Sequence, residues 1–171
     1  MRKISLTFGL IAGAVMSAML AITIPFQDQL KGNAGMAVGY ASMIAASLLI
    51  YFAVRQYRDT VRDGQLPFWD GVKVGLAISA TAIVCYVITW EIIYYNFFPD
   101  FADRFAAEAV AQAKASGMTG AELAKKTAEM AKYAEMYKNP LVNIALTMLE
   151  PMPVMLLGSG ISAWVLRERK A

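Results

Sequence analysis

The stretch VGLAISATAIVCYVITWEIIYYNF, residues 74–97, decides the fold. It contains a single charged side chain, Glu91. As a helix it is about 36 Å long, because each residue of an α-helix adds about 1.5 Å. A bilayer core about 30 Å thick needs roughly 20 mostly apolar residues in one helix. We therefore predict that this stretch crosses a membrane.

Three further segments share this apolar character. The four predicted spans cover residues 4–26, 34–54, 71–97 and 141–166. We expect an all-α, polytopic membrane protein with four transmembrane helices, which form a single membrane domain over residues 1–171. The first span follows a short basic segment, as in a cleaved signal peptide. Its apolar run is longer than the roughly 7 to 15 residues of such peptides, and we expect it to be retained.

The composition agrees with a protein that lies in lipid. Charged residues make up 17% of the chain, below the roughly 25% of soluble domains. There is no histidine and one cysteine, Cys85, which excludes an internal disulfide and a Cys/His zinc site. We expect no metal and no cofactor. The formal charge of +3 lies beside the apolar segments and not on one basic face, so we expect no nucleic-acid binding.

Lysine and arginine residues at the ends of the spans predict the orientation. They form three clusters, which are Arg2 with Lys3, Arg55 with Arg58 and Arg62, and Arg167 with Arg169 and Lys170. With four spans all three clusters fall on one side, and the positive-inside rule places that side in the cytoplasm. Both termini are then cytoplasmic, and the segment 99–138 lies outside.

The segment 99–138 predicts an external amphipathic helical hairpin between the third and fourth spans. Asp100 can cap a first helix that ends at Gly117, and Thr119 with Glu122 forms a capping box for a second helix. A mostly apolar stripe recurs on the second helix at spacings of four and three, at Leu123, Thr127, Met130, Ala134 and Tyr137. Three partners could bury this stripe, namely the protein's own helices, another protein, or the lipid headgroups.

Two carboxylates fall inside predicted spans at a similar depth, without a cation beside them. Glu91 lies in the third span and Glu150 in the fourth, where Pro151 and Pro153 remove helical hydrogen bonds and predict a helix break. Burial without a counter-charge favours the protonated carboxyl group. The candidate hydrogen-bond partners are Tyr86, Thr89, Tyr94, Tyr95, Asn96, Asn143 and Thr147. These groups could hold a proton, a cation or an amine, or could serve only to join helices.

Small residues recur every four positions in two of the spans. They are Gly9, Gly13 and Ser17 in the first span and Gly71, Gly75 and Ser79 in the third. Such stripes let helix backbones approach each other closely in a membrane. Two uses stay open from the sequence, namely helix packing within one chain and the contact of a homodimer.

Four runs of sequence resemble a known family. They are YRD at residues 57–59, WEIIYYNFFPDF at 90–101, KTAEMAKYAEMYKNP at 126–140 and LTMLEPMPV at 146–154. Nearly the whole chain is similar to the bacterial membrane-protein family known as domain of unknown function 4199. The resemblance implies a bacterial inner-membrane protein of four passes, and it implies no particular activity. In such a membrane the orientation predicted above places residues 99–138 in the periplasm.

Three classes of function fit these observations. We favour a non-enzymatic accessory or envelope-associated protein, which acts on a membrane or periplasmic partner through its periplasmic hairpin. The alternative is a small proton- or cation-coupled carrier that uses Glu91 and Glu150. An enzyme is the least favoured class, because the sequence offers no nucleophile with a base, no phosphate-binding loop and no metal-ligand cluster.

Overall fold

A computed structural model of the chain describes residues 1–24 and 33–168. In these ranges the chain is all-helical and contains no β-strand. The helices are α1 (Arg2–Thr23), α2 (Asn33–Val61), α3 (Phe68–Phe97), α4 (Phe101–Ala115), α5 (Gly120–Tyr137), α6 (Pro140–Leu149) and α7 (Met152–Leu166). Phe26 of the predicted first span, and Arg169 and Lys170 of the predicted basic clusters, lie outside the described residues.

Within residues 1–24 and 33–168, four stretches are long and apolar enough to cross a membrane, which makes the chain a membrane protein. They are Arg2–Thr23, Ala37–Val61, Phe68–Phe97 and Pro140–Leu166, the last of which contains α6 and α7. α2 continues seven residues beyond the predicted end at 54, because arginine-rich sequence can stay helical after the apolar segment has ended.

The chain divides into two compact units. The first consists of Met1–Trp90 together with Met148–Ala171, and it contains α1, α2, α7 and most of α3. The second consists of Glu91–Thr147, and it contains α4 and α5 with the last turns of α3 and most of α6.

Close helix contacts at glycines hold the first unit together. A Cβ added at Gly13 of α1 would lie 2.6 Å from the Cβ of Cys85 in α3, and one added at Gly75 of α3 would lie 2.7 Å from the Cβ of Ser159 in α7. α7 also contacts α2, and α2 contacts α1. The helices therefore meet in the cyclic order α1, α3, α7, α2. The largest fully buried side chains of this core include Met16, Met43, Ile50, Ile78 and Met155.

The directions of these helices follow from the register of their contacts. Gly9 and Gly13 face Thr81 and Cys85, so α1 runs parallel to α3. The backbone N–H of Glu168 donates to the carbonyl oxygen of Leu66 at 3.0 Å, which places the end of α7 beside the α2–α3 turn. The start of α1, the α2–α3 turn and the end of α7 therefore share one end of the first unit.

The α2–α3 turn is tight and has left-handed backbone. Asp63 has φ 48 and Gly64 has φ 86, and the N–H of Gly64 donates to the carbonyl oxygen of Arg58 at 3.0 Å, a pattern that ends many helices. Arg62 forms an ion pair with Asp70 in the first turn of α3. These contacts fix the hairpin of α2 and α3 at the end of the unit that carries the basic residues.

Candidate functional site

The fourth span is interrupted where Glu150 lies. α6 ends at Leu149 and α7 begins at Met152. Pro151 is buried between them, and its ring nitrogen has no proton to donate to a helical hydrogen bond. The N–H of Met155 donates to the carbonyl oxygen of Pro151 at 3.0 Å, which starts the hydrogen bonding of α7. Glu150 thus lies in the turn between α6 and α7, outside both helices.

A tyrosine of α3 contacts this carboxylate. The hydroxyl group of Tyr86 donates to Oε2 of Glu150 at 3.0 Å. The ring of Tyr86 is buried, whereas Glu150 is exposed at the protein surface. Tyr86 also lines a cavity of about 30 Å³ with Met16, Met43 and Ser42, which has room for about one water molecule. The Tyr86 side chain therefore links the interior of the first unit to an acid at its surface.

Glu91 has a different environment. It lies in the second unit and is half-buried. Its Oε1 atom is buried and has no hydrogen-bond partner among the described residues. A buried polar atom without a partner costs about 1 to 3 kcal/mol of stability. Glu150 belongs to the first unit, and the use of both carboxylates in one site stays a prediction.

Of the other predicted polar residues of the site, Thr89 lies in the first unit and the rest lie in the second. On α6 the hydroxyl group of Thr147 donates to Oδ1 of Asn143 at 3.2 Å, and both residues are buried. In α3 the buried ring of Tyr94 packs edge-on against the exposed ring of Tyr95, with centroids 5.1 Å apart. The structure therefore pairs Asn143 with Thr147 and Tyr94 with Tyr95.

Both small-residue stripes lie at helix contacts within the chain. Where each stripe ends in a serine, a hydrogen bond joins two helices. The Thr89 hydroxyl donates to Oγ of Ser17 at 2.8 Å, and the hydroxyl groups of Ser79 and Ser159 lie 3.2 Å apart. Close contacts flank these bonds at Gly9, Gly13, Gly71 and Gly75. These faces of α1 and α3 are therefore occupied within one chain.

The second unit contains an aromatic cluster that the sequence analysis missed. We call it the aromatic row, and it consists of Tyr94, Tyr95, Phe101, Phe105, Tyr133 and Tyr137. Successive ring centroids are 5.1 to 6.2 Å apart. Two i, i+4 aromatic pairs on consecutive helices, Phe101 with Phe105 and Tyr133 with Tyr137, were the available signal.

α4 and α5 pack antiparallel within the second unit. Phe101 contacts Tyr137 and Phe105 contacts Tyr133, so residue numbers rise along one helix as they fall along the other. The buried alanines between them are Ala102, Ala106, Ala113 and Ala134. Ala134 and Tyr137 of the predicted apolar stripe are thus covered inside this unit, while Thr127 is exposed.

The helix ends differ in detail from the prediction. Asp100 and Thr119 are the N-cap residues, but neither side chain makes a capping hydrogen bond. The carboxylate of Asp100 accepts a hydrogen bond from Nε of Arg104 at 2.7 Å instead, because an arginine one turn along competes for the same oxygen. Gly117, with φ 91, follows the end of α4 as predicted.

An exposed charge cluster joins the start of α4 to the end of α5. Nζ of Lys138 lies 3.5 Å from Oδ1 of Asp103 and 3.5 Å from Oε2 of Glu135. The negative charge of Asp103, together with its hydrogen bond and the charge of Glu135, raises the pKa of Lys138 above its ordinary value. Among the described residues no group of three His, Cys, Asp or Glu side chains could hold a metal ion.

The fold defines a class, a membrane protein whose described part is all-helical and contains four candidate spans. The chain belongs to the family described as "Protein of unknown function (DUF4199)", which it matches over residues 7–168. This match confirms the resemblance drawn from the sequence. No curated protein and no solved structure matches the chain.

Proposed function

We propose that the chain is a bacterial inner-membrane protein without enzymatic activity, an accessory or envelope-associated protein that contacts its partner through the periplasmic α4–α5 pair. The observation that carries this proposal is the packing of α4 and α5 in a unit with its own core, formed by the buried rings of Tyr94 and Tyr137 and by buried alanines. Since these helices bury their apolar faces against each other, they offer a preformed surface to a partner.

The surface of the α4–α5 pair supports a protein partner. Its exposed charges are mixed in sign, and they include Asp103, Arg104, Glu108, Lys114, Glu122, Lys125, Glu129, Lys132 and Glu135. An anionic membrane surface attracts clusters of one positive sign. Mixed charge instead suits a protein surface with a complementary pattern, where it sets specificity and association rate.

The periplasmic placement rests on the shared end of the first unit. The start of α1, the α2–α3 turn and the end of α7 carry Arg2, Arg62 and Arg167 at that end. Under the positive-inside rule this end faces the cytoplasm. α3 starts there and crosses the bilayer, so α4 begins on the periplasmic side.

The test uses a photo-crosslinking amino acid in living cells. At Lys125, whose side chain is 80% exposed, we expect one discrete crosslinked protein. The charge reversals Glu122→Lys and Glu129→Lys should remove it. The matched control is the same probe at Leu48, an exposed apolar residue of α2, which should yield only lipid adducts.

An alkaline phosphatase reporter inserted at Gly117 tests the periplasmic placement, and it should be active. The proposal is contradicted if the phosphatase reporter is inactive. It is also contradicted if the crosslink persists in the charge-reversal variants.

A second candidate function is a proton- or cation-coupled carrier that uses Glu91 and Glu150. Two observations favour it: the hydrogen bond from Tyr86 to Glu150, and the buried, unpartnered Oε1 of Glu91. Intramembrane acids commonly mark proton and ion pathways. Proton flux into proteoliposomes should then be lost in Glu91→Gln and Glu150→Gln while folding is kept. Unchanged flux in the double variant removes this candidate.

A further inference from the structure

The large apolar side chains that are exposed on the described α4–α5 pair lie at one end of it. In the described helices α4 and α5, the large hydrophobic side chains that are exposed are Phe105, at 47%, and Met136, at 48%. Phe105 lies in the second turn of α4 and Met136 in the last turn of α5. Because the two helices are antiparallel, these positions share the end of the pair that joins the membrane spans. We call this end the base.

The same helix faces become polar away from the base. Gln112 follows Phe105 by seven residues, and Glu129 precedes Met136 by seven, so each lies about two turns further out on the same face. Both are exposed. The change from apolar to polar therefore occurs along each helix, at levels that differ by about one helical turn.

The base continues directly from the ends of two spans. Phe97, the last residue of α3, is 70% exposed, and Leu141 near the start of α6 is 77% exposed. Only residues 98–100 separate α3 from α4. The lipid-facing surface of the spans thus runs on into the base.

We propose that the base of the α4–α5 pair is a lipid contact surface, which inserts Phe105 and Met136 into the interfacial layer of the bilayer that the spans cross. The part beyond Gln112 and Glu129 stands in water. Helices that lie at a membrane surface bury phenylalanine and other apolar side chains at the boundary between headgroups and acyl chains. Arg104 and Lys138 have stems long enough to lie along the apolar layer with their charges at its surface.

This inference concerns the lipid side of the pair, and it stands whether or not the charged faces bind a protein. Lipid is the occupant favoured by continuity with the spans. A second copy of the chain, or a periplasmic protein, would cover the base without lipid contact, and these are outcomes of the test.

The experiment measures the accessibility of nitroxide spin labels in vesicles of phosphatidylethanolamine and phosphatidylglycerol. The full chain carries Cys85→Ala, which removes its one cysteine. Labels are attached at Phe105→Cys and Met136→Cys, and at the matched positions Gln112→Cys and Glu129→Cys. At 105 and 136 we expect collision with oxygen, which concentrates in lipid, to exceed collision with a water-soluble nickel complex. At 112 and 129 we expect the reverse.

Three results would overturn the inference. Labels at 105 and 136 that collide with the nickel complex as often as those at 112 and 129 mean that the base is in water. Lipid contact at all four positions means that both helices lie along the membrane. Low collision with both reagents at 105 and 136 means that protein covers the base. Circular dichroism of each labelled chain checks that helix content is kept. The labels at 105 and 136 are on separate variants, so each gives its own measure of lipid contact.

Discussion

The hydroxyl group of Tyr86 lies 3.0 Å from Oε2 of Glu150, and it donates a hydrogen bond from a buried ring to an acid at the break of the fourth span. The bond links residues that are 64 positions apart in sequence. It joins α3 to the turn between α6 and α7. The helix break is therefore supported by a side chain of another span.

Replacing Tyr86 with phenylalanine should lower the free energy of unfolding by about 1 kcal/mol, because one hydrogen bond is lost and the ring is kept. Glu150→Gln should have a smaller effect, since its amide oxygen still accepts the bond. Unfolding by denaturing detergent, followed by circular dichroism, measures both. Tyr40→Phe on α2, where the ring is exposed, is the control. Equal losses of stability in Tyr86→Phe and Tyr40→Phe would show that the hydrogen bond to Glu150 does not stabilise the fold.

Alanine at Gly75 should destabilise the chain by about 1 to 3 kcal/mol, a usual cost of overpacking. The added Cβ would lie 3.0 Å from the Cα of Ser159, so a backbone must shift. Gly160→Ala on α7 is the control, because a Cβ there meets nothing within 4 Å. Its expected effect is a gain of about 0.5 to 1 kcal/mol from helix propensity. The same unfolding measurement applies, and a harmless alanine at Gly75 would disprove the close α3–α7 contact.

Methionine at Glu91 should stabilise the chain by about 1 to 3 kcal/mol, because the buried Oε1 atom has no partner among the described residues and its desolvation cost disappears. Glu108→Met, at an exposed position of α4, should leave stability nearly unchanged. Thermal unfolding in detergent measures both variants. A loss of stability in Glu91→Met would show that the carboxyl group makes interactions that the protein needs.

Asparagine at Asp103 should lower the pKa of Lys138 toward its ordinary value, because the charge of Asp103 is the main cause of the raised pKa. A raised pKa in the folded chain means that the charge contributes stability below the ordinary lysine pKa, and that this contribution is lost as the pH rises through the raised value. The ¹³Cε chemical shift of Lys138, followed against pH in detergent micelles, measures the change. Glu108→Gln, elsewhere on α4, should leave the pKa of Lys138 in place.

Much of the fold could be predicted from local sequence. Apolar runs of sufficient length locate helices that can cross a membrane, since in lipid the backbone must satisfy its own hydrogen bonds. Pro151 predicted an interruption, and α6 and α7 are separate helices on its two sides. Gly117 predicted the end of α4. Each of these features depends on a few consecutive residues.

The features that needed tertiary contacts were harder to predict. Tyr86 was one of several candidate partners of the acids, and only the register of α3 against the α6–α7 turn selects it for Glu150. Likewise, the stripe at Gly9 and Gly13 could face any helix. The carboxylate of Asp100 is engaged by Arg104 and makes no capping bond, because two nearby donors compete and the sequence does not rank them.

The glycine contacts also determine when this protein can finish folding. α7 supplies Ser159 and Ala163 to the glycines of α3, and its own Gly158 approaches Ser47 of α2. The faces of α2 and α3 that contact α7 therefore stay uncovered until α7 has left the ribosome. Nascent chains that stall before residue 152 should be substrates for membrane quality-control proteases, whereas finished chains should resist them.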